Sequence, residues 1–428
     1  MAVLLVGALL LTGCSSVPGA EGTKLVTASY PTMVKYPIAG GDFTAYSASL
    51  KKQRADYSEY TGELDKFFSG SIREFLSGAG EDNAVYSPVN VYMALAMLAE
   101  CTDGTSREQI LDLLDADSME ALRSQARAIW NASYVDDGVS TNVLAGSIWL
   151  RDGSSYNRDT LKILADNYFA SSFSGEMGSD GYNKLLQSWL NDQTGNVLKD
   201  QTGSVGMDPG TILALATTVY LKEKWSEVFS TEKNDEKFFH GADGDNTVTF
   251  MNTRTSNYYY YGEKFGSILY SFTNNGYMTS ILPDEGVSVD ELLADEECME
   301  FILGCEYSWE GKSDVIINLS LPKFDAGSSL DLVKGLKNLG VTDVFSSDAD
   351  FSPLLNDTED ARLTEVTHAG RVVIDEEGVT AAAFTLALCG ASAPASEEID
   401  FVLDRPFIFV IKDRNFLPVF VGVVNSVR

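Results

Sequence analysis

Histidine is nearly missing from this chain: His240 and His368 are the only two in 428 residues. A catalytic serine or cysteine needs a base held against it, so nucleophilic catalysis has little to draw on. No Gly-x-Ser-x-Gly elbow occurs, and no glycine loop of the kind that cradles phosphate. Cysteine is sparse as well, and Cys101, Cys298, Cys305 and Cys389 do not follow the spacing of a zinc site. Asp243-Gly244-Asp245 opens like a calcium loop, but Arg254 stands at the twelfth position, where an acid is needed. The expectation is a protein with no metal, no cofactor and no enzymatic activity. Basic residues are outnumbered, 31 to 62, for a net charge of −31. Such a field repels nucleic acid and favours a well-solvated surface. Long apolar runs are also missing, since Met1 to Leu11 is too short to span a bilayer. No Pro- or Gly-rich linker and no repeat divides residues 60 to 428, and 44% of the chain is hydrophobic. These features point to a single large domain.

What is present is most telling near the C-terminus, in Asp375-Glu376-Glu377-Gly378-Val379-Thr380-Ala381-Ala382-Ala383-Phe384-Thr385. Read with a period of two, Val379, Ala381, Ala383, Thr385, Ala387 and Cys389 share one face and are small. Phe384, Leu386 and Leu388 share the other. The run then passes into Gly390-Ala391-Ser392-Ala393-Pro394-Ala395-Ser396, which has the composition of an exposed loop. These residues fit a strand held in a loop, and they also fit an ordinary buried strand followed by a turn.

Elsewhere, residues 58 to 78 carry apolar side chains at helical spacing, and Ser87-Pro88 is suited to open an apolar, buried helix, with Ser87 as N-cap. Residues 183 to 198 read as a further helix. Residues 246 to 282 and 314 to 324 alternate as strands do.

Six features in order resemble the serpin family from about residue 55 to the end. They are Asn83-Ala84-Val85-Tyr86-Ser87-Pro88-Val89-Asn90, then Val219-Tyr220-Leu221-Lys222-Glu223-Lys224-Trp225 with Phe229 and Thr231, Leu282-Pro283, Leu321-Pro322-Lys323-Phe324, Leu339-Gly340-Val341-Thr342-Asp343-Val344-Phe345, and Asp404-Arg405-Pro406-Phe407-Ile408-Phe409. His368 precedes the hinge, as a histidine does in that family. The resemblance implies one α+β domain of about nine helices and three β-sheets, monomeric, with an exposed C-terminal reactive loop. It implies suicide inhibition of serine, and sometimes cysteine, endopeptidases. The protease cuts the loop, and the cut loop enters the central sheet as a new strand before the acyl-enzyme is hydrolysed.

Carried over residue by residue, the hinge is Glu376, Glu377, Gly378, Val379, Thr380, Ala381, Ala382 and Ala383. Gly378 supplies a pivot. Trp225 and Lys323 match the point where the loop first enters, Lys323 pairing with Glu376. Ser87, Asn90, Thr217 and His368 match a polar gate cluster beneath it. The family has Ser at the place of Asn90 and Asn at that of Thr217, so an exchange of partners between these two is expected. Counting from the hinge places the cut at Ser392-Ala393, and counting back from Pro406 places it at Ala395-Ser396. Small residues at both bonds suit an elastase-like or subtilisin-like target. A non-inhibitory serpin-fold binding protein or simple protease substrate is the alternative, disfavoured by the small hinge residues.

Leu11-Thr12-Gly13-Cys14 resembles a bacterial lipoprotein signal, which implies cleavage after residue 13 and a lipid on Cys14. No basic segment precedes it, which leaves a truncated start open. Residues 14 to 54 then read as a tether to a membrane of the cell envelope, ahead of a domain spanning 55 to 428.

Overall fold

The computed structural model describes residues 21–37, 42–53, 64–203, 205–274, 276–356, 361–363, 366–379 and 397–428. Thr380 to Ser396, with both candidate cut bonds, and Cys14 lie outside them.

A central sheet of eight strands organises the molecule. In chain order these are β1 (Thr23–Val26), β2 (Val135–Asp136), β3 (Thr141–Arg151), β4 (Ala170–Gly175), β5 (Leu213–Lys224), β6 (Phe324–Asp331), β7 (Thr367–Asp375) and β8 (Gly378–Val379). Across the sheet the order is β1, β4, β3, β5, β8, β7, β6, with β2 paired to β3. Only β3 and β4 run parallel to each other as direct neighbours.

A second ladder of nine strands packs against it. It runs from Glu398–Val402 through Lys312–Pro322, Gly244–Tyr261, Phe265–Ser271, Tyr277–Pro283, Phe407–Lys412 and Pro418–Val424 to Ala84–Tyr86, with Asp235–Gly241 also on Gly244–Tyr261. The α+β fold is the one the resemblance implies, with a difference of count. The described residues form eleven α-helices, several of them only a turn or two long. Two ladders stand in place of three sheets, because the 18-residue Gly244–Tyr261 strand continues from one sheet into the next.

Three helices set the surroundings of the central sheet. Helix α1 (Phe43–Gln53) belongs to the N-terminal arm. Helix α2 (Pro88–Cys101) is apolar nearly all round and lies in the core, with Ser87 accepting a hydrogen bond from the Asn90 N–H at its N-terminus. That cap satisfies one of the donors a helix start leaves open. Helix α3 (Asp180–Gln193) covers the outer face of the central sheet, where Tyr182, Leu186, Trp189 and Leu190 pack with Trp149 and Phe173. It ends at Gly195 and Asn196, both with positive φ. A Cβ on Gly195 would stand 2.6 Å from the Tyr220 ring, so glycine must come first and asparagine can take the second left-handed place.

Residues expected to form a tether are folded over much of their length. β1 pairs antiparallel with β4 at the sheet edge. Tyr30 packs its ring 5.4 Å from Trp130 and 6.4 Å from Phe169. Met33 is buried, and Gln53 donates to the Tyr134 carbonyl at 2.9 Å. The arm gains apolar burial that a solvated tether would forgo, and this offsets the entropy of ordering it.

Candidate functional site

The hinge begins where β7 ends. Asp375 Oδ1 accepts from the Glu377 and Gly378 N–H groups, 2.9 and 3.2 Å away, which turns the chain back on itself. Gly378 takes φ +147°, and a Cβ there would lie 2.2 Å from the Glu223 carbonyl oxygen. Only glycine fits so close to the neighbouring backbone.

After that turn, Gly378 and Val379 enter the sheet. Val379 pairs with Ile374 of β7 on one side and Glu223 of β5 on the other. Its side chain is 2% exposed, in the core between the two ladders. Trp225 braces the turn from below, donating from Nε1 to the Asp375 carbonyl at 2.8 Å and from its backbone N–H to the Glu377 carbonyl at 3.1 Å. Lys323 Nζ lies 2.9 Å from a Glu376 carboxylate oxygen, and Asn234 donates to the other at 2.6 Å. Burial would raise the Glu376 carboxyl, but the hydrogen bonds from Lys323 and Asn234 outweigh it and hold it below the usual range. Trp225, Lys323 and Glu376 therefore meet at one point, and Asn234 joins them without having been marked by any sequence motif.

Below Val379 the described residues leave the sheet open. β5 and β7 both run antiparallel to β8, so they are parallel to each other with the width of one strand between them. β5 is paired along its far edge to β3, and β7 along its far edge to β6. Among the described residues no ladder joins the facing edges of β5 and β7. On the α3 side of this gap lies a cavity of about 420 Å³ bordered by β5, β6, β7 and α3. On the α2 side lies one of about 30 Å³, touching both Thr217 and His368.

The gate residues come together in part. His368 Nε2 accepts from the Ser87 backbone N–H at 3.1 Å. The neutral ring therefore carries its proton on Nδ1, and the Asn90 amide 3.5 Å away is best turned to offer its oxygen. Burial drives the His368 pKa down to about 4, since a charged ring has no water there. The expected exchange of partners between Asn90 and Thr217 is not found. Asn90 turns to His368, whereas Thr217 borders the cavity and makes none of the described side-chain hydrogen bonds. A hydroxyl one bond from Cβ is too short to cross an open gap.

Glu223 is the residue the motifs passed over. It sits between Lys222 and Lys224, where an acid reads as one more solvated charge, yet alternation from Trp225 turns it inward. It is 2% exposed and accepts from the Asn274 amide. Burial pushes its pKa up to about 8, with the Ser140 hydroxyl acting against the shift and Asp137 adding to it.

No group of three or more His, Cys, Asp or Glu placed to hold a metal occurs among the described residues. Cys101 and Cys298 are buried free thiols that burial keeps protonated. Cys305 lies past the end of the Glu296–Leu303 helix and is partly exposed.

The chain is similar to known proteins in sequence and in fold. Residues 65–427 match the family model described as serpin (serine protease inhibitor). Mouse neuroserpin is 26% identical over 361 residues, covering 81% of this chain and 87% of its own length. Pig plasminogen activator inhibitor 1 is 27% identical over 369 residues, covering 80% and 86%. Among solved structures, the thermophilic serpin tengpin in its native state aligns with a TM-score of 0.75 at 25% identity, over 95% of this chain and all of that one.

Proposed function

The chain belongs to the serpin family, and from that premise we propose that it is a suicide inhibitor of serine endopeptidases. Serpins are in general protease inhibitors rather than catalysts. The observation that carries the reading here is the position of β8. It is held between β5 and β7 at the head of a gap one strand wide, in a direction that continues down the gap. Facing strand edges that no described ladder joins are a template for a further strand. A strand entering there gains two ladders at once, and cutting the loop frees it to do so.

The length of the loop supports this. From Val379 to Ser392 is fourteen residues, or about 46 Å of strand at ~3.3 Å each. That much strand carries a tethered protease from the hinge to the opposite end of the sheet. The cut bond is Ser392-Ala393 in this reading, with Ala395-Ser396 as the second choice, and the target is elastase-like or subtilisin-like. No Lys or Arg lies between Gly378 and Asp404, which disfavours a trypsin-like one.

Incubation with an elastase and with a subtilisin, then SDS gel electrophoresis, tests the reading. An SDS-stable complex is expected, with mass spectrometry of the released peptide locating the bond. Cleavage with no stable complex on any serine protease would leave a substrate or binding protein instead. The inhibitor acts in this proposal as a monomer, at a membrane of the cell envelope, held by a lipid on Cys14. Cys14→Ser should release it from the membrane fraction.

A further inference from the structure

After α3 the chain doubles back, and residues 194–203 and 205–207 run along that helix as a strap. Three side chains of α3 hold it there. Asn183 Oδ1 accepts from the Met207 N–H at 2.8 Å, and Gln187 Nε2 donates to the Val205 carbonyl at 2.8 Å. Asn191 Oδ1 accepts from the Thr202 hydroxyl at 2.9 Å. A spacing of four residues places all three on one face of the helix. Helix and strap are one unit.

That unit is seated on one side of the gap. Tyr182, Leu186, Trp189 and Leu190 of the helix and Met207 of the strap pack with Ala145, Trp149 and Phe173, and Ala214 and Ala216 of β5 lie against them. Tyr182 also donates to the Leu150 carbonyl of β3 at 3.2 Å. Among the described residues, none of β6 or β7 belongs to this cluster. Toward those strands lies the cavity of about 420 Å³, lined by Leu198, Thr202 and Val205 of the strap and by Gly327, Ser329 and Ala369. Atoms that face a cavity have no packing partner across it, so apolar contact does little to join the two sides there.

Arg371 makes the join. Val372 and Ile374 are buried in the core with the second ladder, so alternation along β7 turns Arg371 to the α3 face. Its guanidinium forks onto Asp325 of β6, Nε to Oδ1 at 2.9 Å and Nη2 to Oδ2 at 2.6 Å. Nη1 then donates to the Val197 carbonyl of the strap at 2.8 Å. The paired bonds to Asp325 fix the plane of the guanidinium and aim this third donor. Among the described hydrogen bonds and ion pairs, it is the one that links the helix and strap to β6 or β7.

We propose that Arg371 is a strut tying the strap to β7 across the gap, and that it sets how fast the two sides part. The second half rests on the insertion reading. While the strut holds, a protease joined to the cut loop has longer to hydrolyse its own bond, so the strut works against the trap.

Two measurements on the full chain test it with Arg371→Met, which keeps an unbranched stem and removes the fork. The first is amide exchange. Protection of residues 197–203 should fall tenfold or more, while Ile148 and Leu215 in the ladder of β3 and β5 stay as in wild type. The second is the fate of molecules cut by an elastase, at the temperature where half of the cut wild type is trapped in SDS-stable complex. Arg371→Met should be cut at the wild-type rate and trap a larger fraction. Should it fail to fold, Asp325→Asn carries the same two measurements, since it leaves every donor in place and removes the carboxylate that aims them. Unaltered exchange of residues 197–203 would overturn the strut. Faster exchange with an equal or smaller trapped fraction would overturn its control of insertion. Faster exchange with no complex from either protein would leave the strut standing and overturn the inhibitor reading instead.

Discussion

Val379 and Glu223 stand directly opposite each other across the ladder that ties the hinge to the central sheet. One is the last described residue before residues 380–396, and the other is a buried acid.

For Glu223 the folded pKa, about 8, lies above the ordinary 4.5. The folded state therefore holds a proton that the unfolded chain gives up. Stability from this group is fully present below pH 4.5 and is lost as pH rises through 8. Glu223→Gln keeps the shape and removes the titration. The variant should be more stable than wild type at pH 8 by ~1–3 kcal/mol and lose the advantage near pH 4.5. Urea midpoints of both proteins from pH 4 to 9 check it, and parallel curves would refute it.

His368 gives the opposite slope. Its folded pKa of about 4 lies below the ordinary 6.5, so the unfolded chain is the one that binds the proton. Its contribution is intact above pH 6.5 and disappears as pH falls toward 4. His368→Gln should be less stable at pH 7, by ~1–3 kcal/mol for the hydrogen bonds it loses. The gap between variant and wild type should narrow on acidification. Denaturation at pH 4.5, 5.5 and 7 reads the sign directly.

Gly378→Ala addresses the turn. A methyl group there would press on the Glu223 carbonyl and the Lys224 Cα, both backbone, with no flexible side chain to yield. The expected result is release of Gly378 and Val379 from the sheet. Amide exchange of Val379 should speed up by tenfold or more, which corresponds to ~1.4 kcal/mol. Unchanged protection would show that the backbone shifts to accept the methyl.

Ala383→Arg separates trap from substrate. If the loop inserts in the register of Val379, position 383 falls opposite Val219 and Gly370, where an unpaired guanidinium would cost about 3–5 kcal/mol. The variant should be cut at the wild-type bond and rate, form no SDS-stable complex, and gain no thermal stability on cutting. Trapping at the wild-type level would remove insertion as the mechanism.

The turn at Gly378 and the pairing of Glu376 with Lys323 were legible in the sequence because their requirements are local. A glycine, a run of small residues and an acid facing a lysine two motifs away can each be recognised without coordinates. The α+β fold was legible for the same reason, through ordered motifs such as Tyr86-Ser87-Pro88 and Arg405-Pro406-Phe407. The N-terminal arm was not. Thr23–Val26 is too short for a period to declare itself, and its order depends on Trp130, Tyr134 and Phe169, more than a hundred residues on. The Asn90–Thr217 exchange is not seen for a related cause, since Asn90 sits in the first turn of α2 beside His368 while Thr217 stands on β5 at the other edge of the gap. Glu223 could have been found by counting two residues back from the buried Trp225, but its lysine neighbours disguised it.

The gap between β5 and β7 divides the central sheet unequally. On one side stand β1 to β5, thickened by α3 and by an arm whose strand, aromatic contacts and helix all attach to residues 130 to 182. On the other stand only β6 and β7, tied to the second ladder through Ser328 and Val85. Mechanically this is a heavy leaf and a light one. The light leaf is seated in the second core through Phe324, Ala326, Val372 and Ile374, and the N-terminal arm belongs wholly to the heavy one.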